Sequence, residues 1–404
     1  MSIVTEETDR SFRLSMLIYD TRYRSLTIQF IAILLTVAFF GWLISNATVN
    51  LADQGQDISF EFLENPAGYD INQRPISYNS QDSHMRASMV GVLNTLIVAF
   101  LGCITATVIG VVAGVLRLSG NWLVARLMSV YVEAFRNVPV LIWILIIFSV
   151  MTLSLPSPRA YRGDPPDVDM LFGMFAFTNR GVYIPRPVWG DGSLILAIVF
   201  VASIIGIFVY RRYARNLLYS TGQMIPVVWP TLAIFFVPSL LFYLILGRPV
   251  TLEYPELRGF NFQGGIQVRG SLIALWFALA VYTGAFIAEN VRAGIQAISK
   301  GQTEASFALG LRPGLTMSLV ILPQALRVII PPLISQYLNL TKNSSLAIAV
   351  GYMDITGTLG GITLNQTGRA IESVLLLMGF YLAISLTISF VMNIYNNSVA
   401  LKER

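Results

Sequence analysis

The 404-residue chain is 55% hydrophobic but only 12% charged, which excludes an ordinary soluble domain, since such domains carry about 25% charged residues. Its single cysteine and single histidine exclude an internal disulfide, a cysteine-based metal cluster and a three-histidine metal site. The net charge of +5 is small for this length and indicates membrane topology rather than a nucleic-acid surface.

Apolar stretches recur along the whole chain, and a membrane-spanning helix needs about 20 mostly apolar residues. Eight spans are predicted, at Leu26–Asn46, Ala87–Leu116, Leu127–Leu153, Ser193–Tyr210, Pro226–Leu246, Ser271–Ile287, a broken stretch Leu315–Val350, and Ser373–Ile394. The first is too long for the core of a signal peptide and is predicted to be a retained anchor. The fold class is therefore predicted to be an all-α integral membrane protein.

The distribution of basic residues indicates how the spans are oriented. Four arginines precede the first span, namely Arg10, Arg13, Arg22 and Arg24. If that end is cytoplasmic, eight crossings return the C-terminal tail, with Lys402 and Arg404, to the same side. Both termini are therefore predicted to be cytoplasmic. The long loops 51–86 and 156–191 then lie outside, where their acidic residues serve solubility or dock an extracellular partner.

The chain lacks the motifs that would power transport or catalysis. No G-x-x-x-x-G-K-[ST] phosphate loop and no G-x-S-x-G nucleophile motif is present, and no histidine lies within a span. The spans are nearly free of carboxylates; Asp354 and Glu372 are expected near the outer side and Glu133 near the inner edge. We therefore expect no catalytic residue and no bound cofactor. A passive channel, a carrier, or a permease driven by another subunit remains.

A short polar helix is predicted at Lys300–Leu309. Ser299 and Gln302 have the spacing of a capping box at its start. Gly310 suits the left-handed position that ends a helix, and Pro313 prevents its continuation. An amphipathic connector between two spans would also account for these features.

Four blocks of sequence resemble the permeases of ABC importers. The run EAS at 304–306, Gly310, and VILP at 320–323 resembles the EAA signature of that family, with Ser306 in place of its second alanine. The continuation of this run at 323–327 and the blocks at 131–139, 282–295 and 340–346 resemble the histidine/glutamine/arginine/opine branch of polar amino-acid permeases. The segment 190–269 departs from the compact core of that branch and is similar to the long subunit of general L-amino-acid importers.

This resemblance implies a type I importer permease with a MetI-like core, placed in the bacterial inner membrane and working by alternating access. The short helix would be a coupling helix that fits a separate ATPase subunit. The implied partners are a second, related permease chain, two ATPase copies that hold ATP and Mg, a periplasmic substrate-binding protein and an L-amino acid. The coupling residues carried over are Gln302, Glu304, Ala305, Ser306, Gly310 and Leu311.

Two groups of residues are candidates for the translocation pathway or a gate. Glu133 and Arg136 are three residues apart on one helical face, so they could pair with each other, and Arg136 could also face a substrate carboxylate. The alternative is an edge pair that snorkels to water. Lys342 lies in a broken polar stretch with Asn343, Ser344 and Ser345, and it faces either the pathway, an interface or the membrane edge.

The predicted organisation is a cytoplasmic segment 1–25, a first span with its outer loop at 26–86, a permease domain at 87–396 and a tail at 397–404. Within the permease domain, an insertion covers about 153–269 and a coupling loop covers about 289–313. Gly110 and Gly114 form a G-x-x-x-G pattern, which indicates close helix packing or dimerisation with a partner permease. An ion-gradient-driven secondary carrier and a non-transporting scaffold remain alternatives.

Overall fold

The computed structural model describes residues 16–53, 57–163, 166–223 and 225–399. Arg10, Arg13, Asp164 and the tail containing Lys402 and Arg404 lie outside the described residues, as do most of the predicted cytoplasmic ends. The predictions for those residues therefore stay predictions.

Helices make up most of the described chain. They are α1 Met16–Tyr19, α2 Thr21–Asp53, α3 His84–Leu116, α4 Trp122–Asn137, α5 Val140–Ser154, α6 Ser193–Thr221, α7 Val228–Ile245, α8 Gly270–Gln296, α9 Lys300–Ala308, α10 Pro313–Thr316, α11 Leu322–Asn343, α12 Leu364–Thr367 and α13 Ala370–Val399. Short 3-10 helices lie at Glu61–Glu64, Pro158–Tyr161 and Ser344–Val350, and π-helical turns lie at Met317–Ile321 and Thr356–Thr363.

Seven stretches of the described chain are long and apolar enough to cross a membrane, and the bent pair α4–α5 makes an eighth if it counts as one span. The prediction of about eight spans in a helical membrane protein is confirmed. The stretch predicted as a span at Leu127–Leu153 is broken rather than straight, because α4 and α5 meet at an angle of 107°. Val138 is extended there (φ −114°, ψ 134°), as expected for a residue that precedes a proline.

Seven short antiparallel strands occur among the described residues, in addition to the predicted helices. They are β1 Ala176–Thr178, β2 Gly181–Ile184, β3 Arg186–Trp189, β4 Val250–Glu253, β5 Glu256–Arg258, β6 Asn261–Gln263 and β7 Ile266–Arg269. Their order is β1-β2-β7, with β3-β4 and β5-β6 as separate pairs. Strand β3 comes directly before α6, and its partner β4 comes directly after α7. The β3–β4 pair therefore extends the α6–α7 helical hairpin beyond its apolar part. Strands of three or four residues carry too little alternation to be predicted from sequence.

The core of the molecule is the packing of α3 against α8. A Cβ on Gly110 would lie 2.5 Å from the Cβ of Ile287, and one on Gly114 would lie 2.7 Å from the Ala288 carbonyl oxygen. Only glycine permits this approach, so the prediction that the G-x-x-x-G pattern serves close packing is confirmed. Since α8 of the same chain occupies this glycine face, it does not pair with a second permease.

The outer loop that precedes α3 is folded onto the helices. Phe62 and Leu63 are buried against the π-helical turn 356–363 and α13. His84, at the start of α3, shares a hydrogen bond with Thr363 (Nδ1 to Oγ1, 3.0 Å), and Tyr69 also bonds the Thr363 hydroxyl (3.1 Å). The described part of this acidic loop is therefore a packed cap on the helices.

Candidate functional site

The predicted short helix is α9, and its C-terminal end is built as expected. Gly310 has a left-handed backbone (φ +77°), and its N–H donates to the Phe307 carbonyl (2.9 Å). The N–H of Leu311 donates to the Ser306 carbonyl (3.1 Å). These two bonds form a Schellman motif, which satisfies carbonyls that a helix end otherwise leaves free.

The N-terminal end of α9 differs from the prediction. Ser299 occupies the N-cap with extended geometry (φ −60°, ψ 141°), but its side chain makes no capping hydrogen bond in the structure. The Gln302 side chain instead accepts a hydrogen bond from Gln324 of α11 (Nε2 to Oε1, 3.3 Å). The predicted capping box is therefore wrong in its hydrogen bonds, because Gln302 ties α9 to the neighbouring helix rather than to Ser299.

One face of α9 packs inward and the other is open. Ser306 is buried, and its hydroxyl donates to the Gln302 carbonyl (2.7 Å). Glu304 and Ala305 are exposed, and the apolar Leu309 is 82% exposed. A nine-residue helix is marginal in isolation, so its packing and its fixed C-terminal end hold it in place. This arrangement leaves the apolar side chain of Leu309 exposed on the outer face of α9.

A cluster of charged side chains joins α3, α4 and α8 near the C-terminal end of α8, before the loop that leads to α9. Glu289 of α8 pairs with Arg117, which follows α3, with Arg136 of α4 (3.8 Å) and with Arg292 one turn further along α8 (3.2 Å). Arg117 is nearly buried, with 10% of its side chain exposed. Three cations around one carboxylate leave an excess of positive charge at this junction.

The pairing that Glu133 and Arg136 could make on one helical face does not occur in the structure. Arg136 lies over the ring of Phe286 at 5.3 Å from its centroid and is directed towards Glu289. Glu133 is exposed and accepts a hydrogen bond from Asn137 one turn away (3.3 Å). Glu289 lies within the block 282–295, but Arg117 and Arg136 are more than 150 residues away along the chain, and no sequence signal joins them to it.

The Lys342 group lies where α11 tightens into a 3-10 turn. Lys342 is exposed, and the hydroxyl of buried Ser344 donates to the Thr341 carbonyl (2.7 Å). Ser345 likewise donates to the Lys342 carbonyl (2.8 Å). Both serine hydroxyls are thus used by their own backbone. Among the ion pairs between described side chains, none includes Lys342 or joins it to the Glu289 cluster.

The two carboxylates expected near the outer side are also held by partners. Asp354 is fully buried and accepts hydrogen bonds from the Gly357 N–H (2.8 Å) and the Tyr381 hydroxyl (3.2 Å). Glu372 is 3% exposed and accepts from the Ser59 N–H (3.2 Å) and Arg369 (3.3 Å). Both groups link loops to helices. No group of three or more potential metal ligands occurs among the described residues.

Comparison with known proteins places these features in a family. Residues 198–401 match the family described as "Binding-protein-dependent transport system inner membrane component". The chain is 52% identical over 430 residues to the glutamate/glutamine/aspartate/asparagine transport system permease protein of Rhodobacter capsulatus, covering 100% of both. It is 44% identical over 397 residues to the general L-amino acid transport system permease protein of Rhizobium johnstonii, covering 98% of this chain and 97% of the relative.

Among solved structures, one described as the crystal structure of an amino acid ABC transporter with histidines is 19% identical, with a TM-score of 0.45, covering 78% of this chain and 95% of that one. The sequence relatives are matched along nearly their full length, and they carry the assignment. The chain is a multi-pass membrane protein that belongs to the family of inner membrane components of binding-protein-dependent transport systems.

Proposed function

We propose that this chain is the permease subunit of an ATP-driven importer that carries L-amino acids through the membrane by alternating access. The observation that carries the proposal is α9, a short helix with a fixed C-terminal end. Its Ser306 is buried against the rest of the chain, and its apolar Leu309 is exposed. The named relatives, 52% and 44% identical, are amino-acid transport permeases, which supports amino acids as the substrate class.

In this proposal, α9 transmits the movement of a separate ATPase, which holds ATP and Mg, to the spans. Glu304 and Ala305 lie on the open face and would contact the ATPase. Ser306 is buried, so it sets the distance between α9 and its own chain. Gln302 transmits force to α11 through Gln324. The terminal motif, Gly310 with Leu311, keeps α9 from fraying when it is pushed.

The remaining partners and boundaries follow from the same proposal. A second, related permease chain would complete the pathway, two ATPase copies would lie on the cytoplasmic side with α9, and a periplasmic binding protein would deliver the amino acid outside. Both chain termini would be cytoplasmic. The permease domain would cover 87–396, with the inserted strands and the α6–α7 hairpin within about 153–269 and the coupling loop within about 289–313.

For the pathway, we propose that Arg136 works with Glu289 as an inner gate between α4 and α8. Their nitrogen-to-oxygen distance of 3.8 Å is long enough to open at small cost. Glu133 and Asn137 lie beside this gate on the exposed face of α4. Lys342 and Asn343 remain candidates for residues that line the translocation pathway. Ser344 and Ser345 shape the bend, since their hydroxyls are bonded to the backbone.

Replacement of Gly310 by Asp tests the coupling assignment. A carboxylate at a helix C-terminus opposes the helix dipole and would be desolvated in the ATPase socket. We expect the variant to insert into the membrane but to lose substrate-stimulated ATP hydrolysis. Normal stimulation would refute the coupling role.

A secondary carrier is the second candidate, but the buried carboxylates Asp354 and Glu372 are engaged by partners, which disfavours them as ion carriers.

A further inference from the structure

The α6–α7 hairpin ends in a cluster of arginines that the transport proposal does not use. Arg211, Arg212 and Arg215 lie within five residues on α6, and all three are exposed. No acidic residue occurs between positions 193 and 252, and none of the ion pairs between described side chains includes these arginines. The hairpin therefore carries local positive charge without a protein counter-charge.

Helix length places this cluster at the surface of the bilayer. The apolar part of α6, residues 193–210, contains 18 residues and is about 27 Å long, close to the hydrocarbon thickness of about 30 Å. Arg211 is the next residue. The rest of α6, through Thr221, extends about 16 Å further. The arginines thus lie at the depth of the lipid headgroups, whichever side of the membrane this is.

Aromatic side chains lie on both helices near the cluster. The Tyr210 hydroxyl donates to the Pro226 carbonyl (2.8 Å), so the connection between the two helices folds back beside Arg211. Tyr219 is 80% exposed on α6 and Trp229 is 77% exposed in the first turn of α7. Exposed tyrosine and tryptophan at the ends of spans are typical of the membrane–water interface.

The arginines share a face that suits a phosphate group. Arg211 and Arg215 are one helical turn apart, and Arg212 lies beside them, while buried Ala214 borders the cluster on the side that packs inward. Arginine binds phosphate oxygens in a bidentate manner, and its planar group is only weakly hydrated. We propose that this end of the α6–α7 hairpin is a binding site for the headgroup of an anionic phospholipid. The inference depends only on membrane embedding and not on the transport function.

The test is a titration of the full chain in a neutral detergent with fluorescent phosphatidylglycerol, read by anisotropy. An arginine near an anionic headgroup is worth about a fivefold change in affinity. We expect Arg211→Gln to raise the Kd about fivefold and the triple Gln variant of Arg211, Arg212 and Arg215 to raise it on the order of 100-fold. Arg180→Gln, which changes an exposed arginine in the turn between β1 and β2, is the matched control and should leave the Kd unchanged.

Two further arms separate the possible causes. A triple Lys variant of the same arginines keeps the charge but loses bidentate binding, so its Kd should fall between those of the parent and the triple Gln variant. If the triple Gln variant does not fold, the triple Lys variant is compared with the parent in its place. Inorganic phosphate at millimolar concentration should not displace the lipid. The proposal is overturned if the triple Gln variant binds like the Arg180→Gln control, or if inorganic phosphate competes fully, which would indicate a soluble-anion site.

Discussion

Gly310 tests whether α9 acts through its fixed C-terminal end. Its backbone is left-handed (φ +77°), and a Cβ added there would meet no heavy atom within 4 Å. Replacement by Ala therefore introduces no clash but forces an L-residue into a left-handed conformation, at about 1–2 kcal/mol. Because α9 has only nine residues, that strain falls on its end and shifts the balance between capped and frayed forms about 5–30-fold.

The assay is substrate-stimulated ATP hydrolysis by the reconstituted transporter. We expect Gly310→Ala to reduce stimulation by up to about 5–30-fold, and Gly310→Asn to reduce it less, since Asn tolerates the left-handed region. Gly301→Ala is the matched control: Gly301 lies in the same helix at ordinary φ, its Cβ also meets nothing within 4 Å, and Ala there favours the helix. Equal losses for the Ala variants at 301 and 310, or full stimulation in Gly310→Ala, would refute the reasoning.

Three other predictions concern packing, charge and the coupling surface. Gly110→Ala should destabilise the protein by about 1–3 kcal/mol because of overpacking on α8, whereas Gly120→Ala, with open space around it, should not; thermal unfolding in detergent measures both. Glu289→Gln should lower the free energy of unfolding by about 3 kcal/mol, because it leaves the charge of the nearly buried Arg117 unpaired. The exposed Glu256→Gln should lower it by less than about 1 kcal/mol. Similar losses for the two variants would contradict a stabilising role of the Glu289 cluster. Leu309→Ser should leave the melting temperature of the isolated chain unchanged but weaken ATPase co-purification, and unchanged co-purification would contradict the coupling surface.

Local sequence signals predicted the helical framework and the C-terminal end of α9. Apolar length alone located the spans, because a helix in lipid must satisfy its own backbone hydrogen bonds. Gly310 marked the C-terminus of α9 because few residue types tolerate a left-handed backbone at that position. The G-x-x-x-G pattern of α3 indicated close packing for a similar reason, since only small residues let two helix backbones approach.

Features that depend on distant partners could not be predicted in this way. Glu289 gathers arginines from three elements, and their proximity is set by the packing of α3 and α4 on α8. The expected pair of Glu133 and Arg136 satisfied the helical spacing rule, but an exposed pair on one helix is worth only about 0.2–0.5 kcal/mol. The contacts of Arg136 with Phe286 and Glu289 are therefore more favourable than a pair with Glu133. Gln302 is a similar case, since Gln324 of α11 takes the place of its predicted capping partner.

The central claim is that this chain moves its substrate with energy received from a separate ATPase through α9. Uptake of labelled L-amino acids into vesicles that hold the complete transporter tests it most directly, with internal ATP and with ion gradients abolished by ionophores. The account predicts uptake that persists without ion gradients, requires ATP and the binding protein, and is lost in Gly310→Asp. Uptake that collapses with the proton gradient while ATP remains would contradict it.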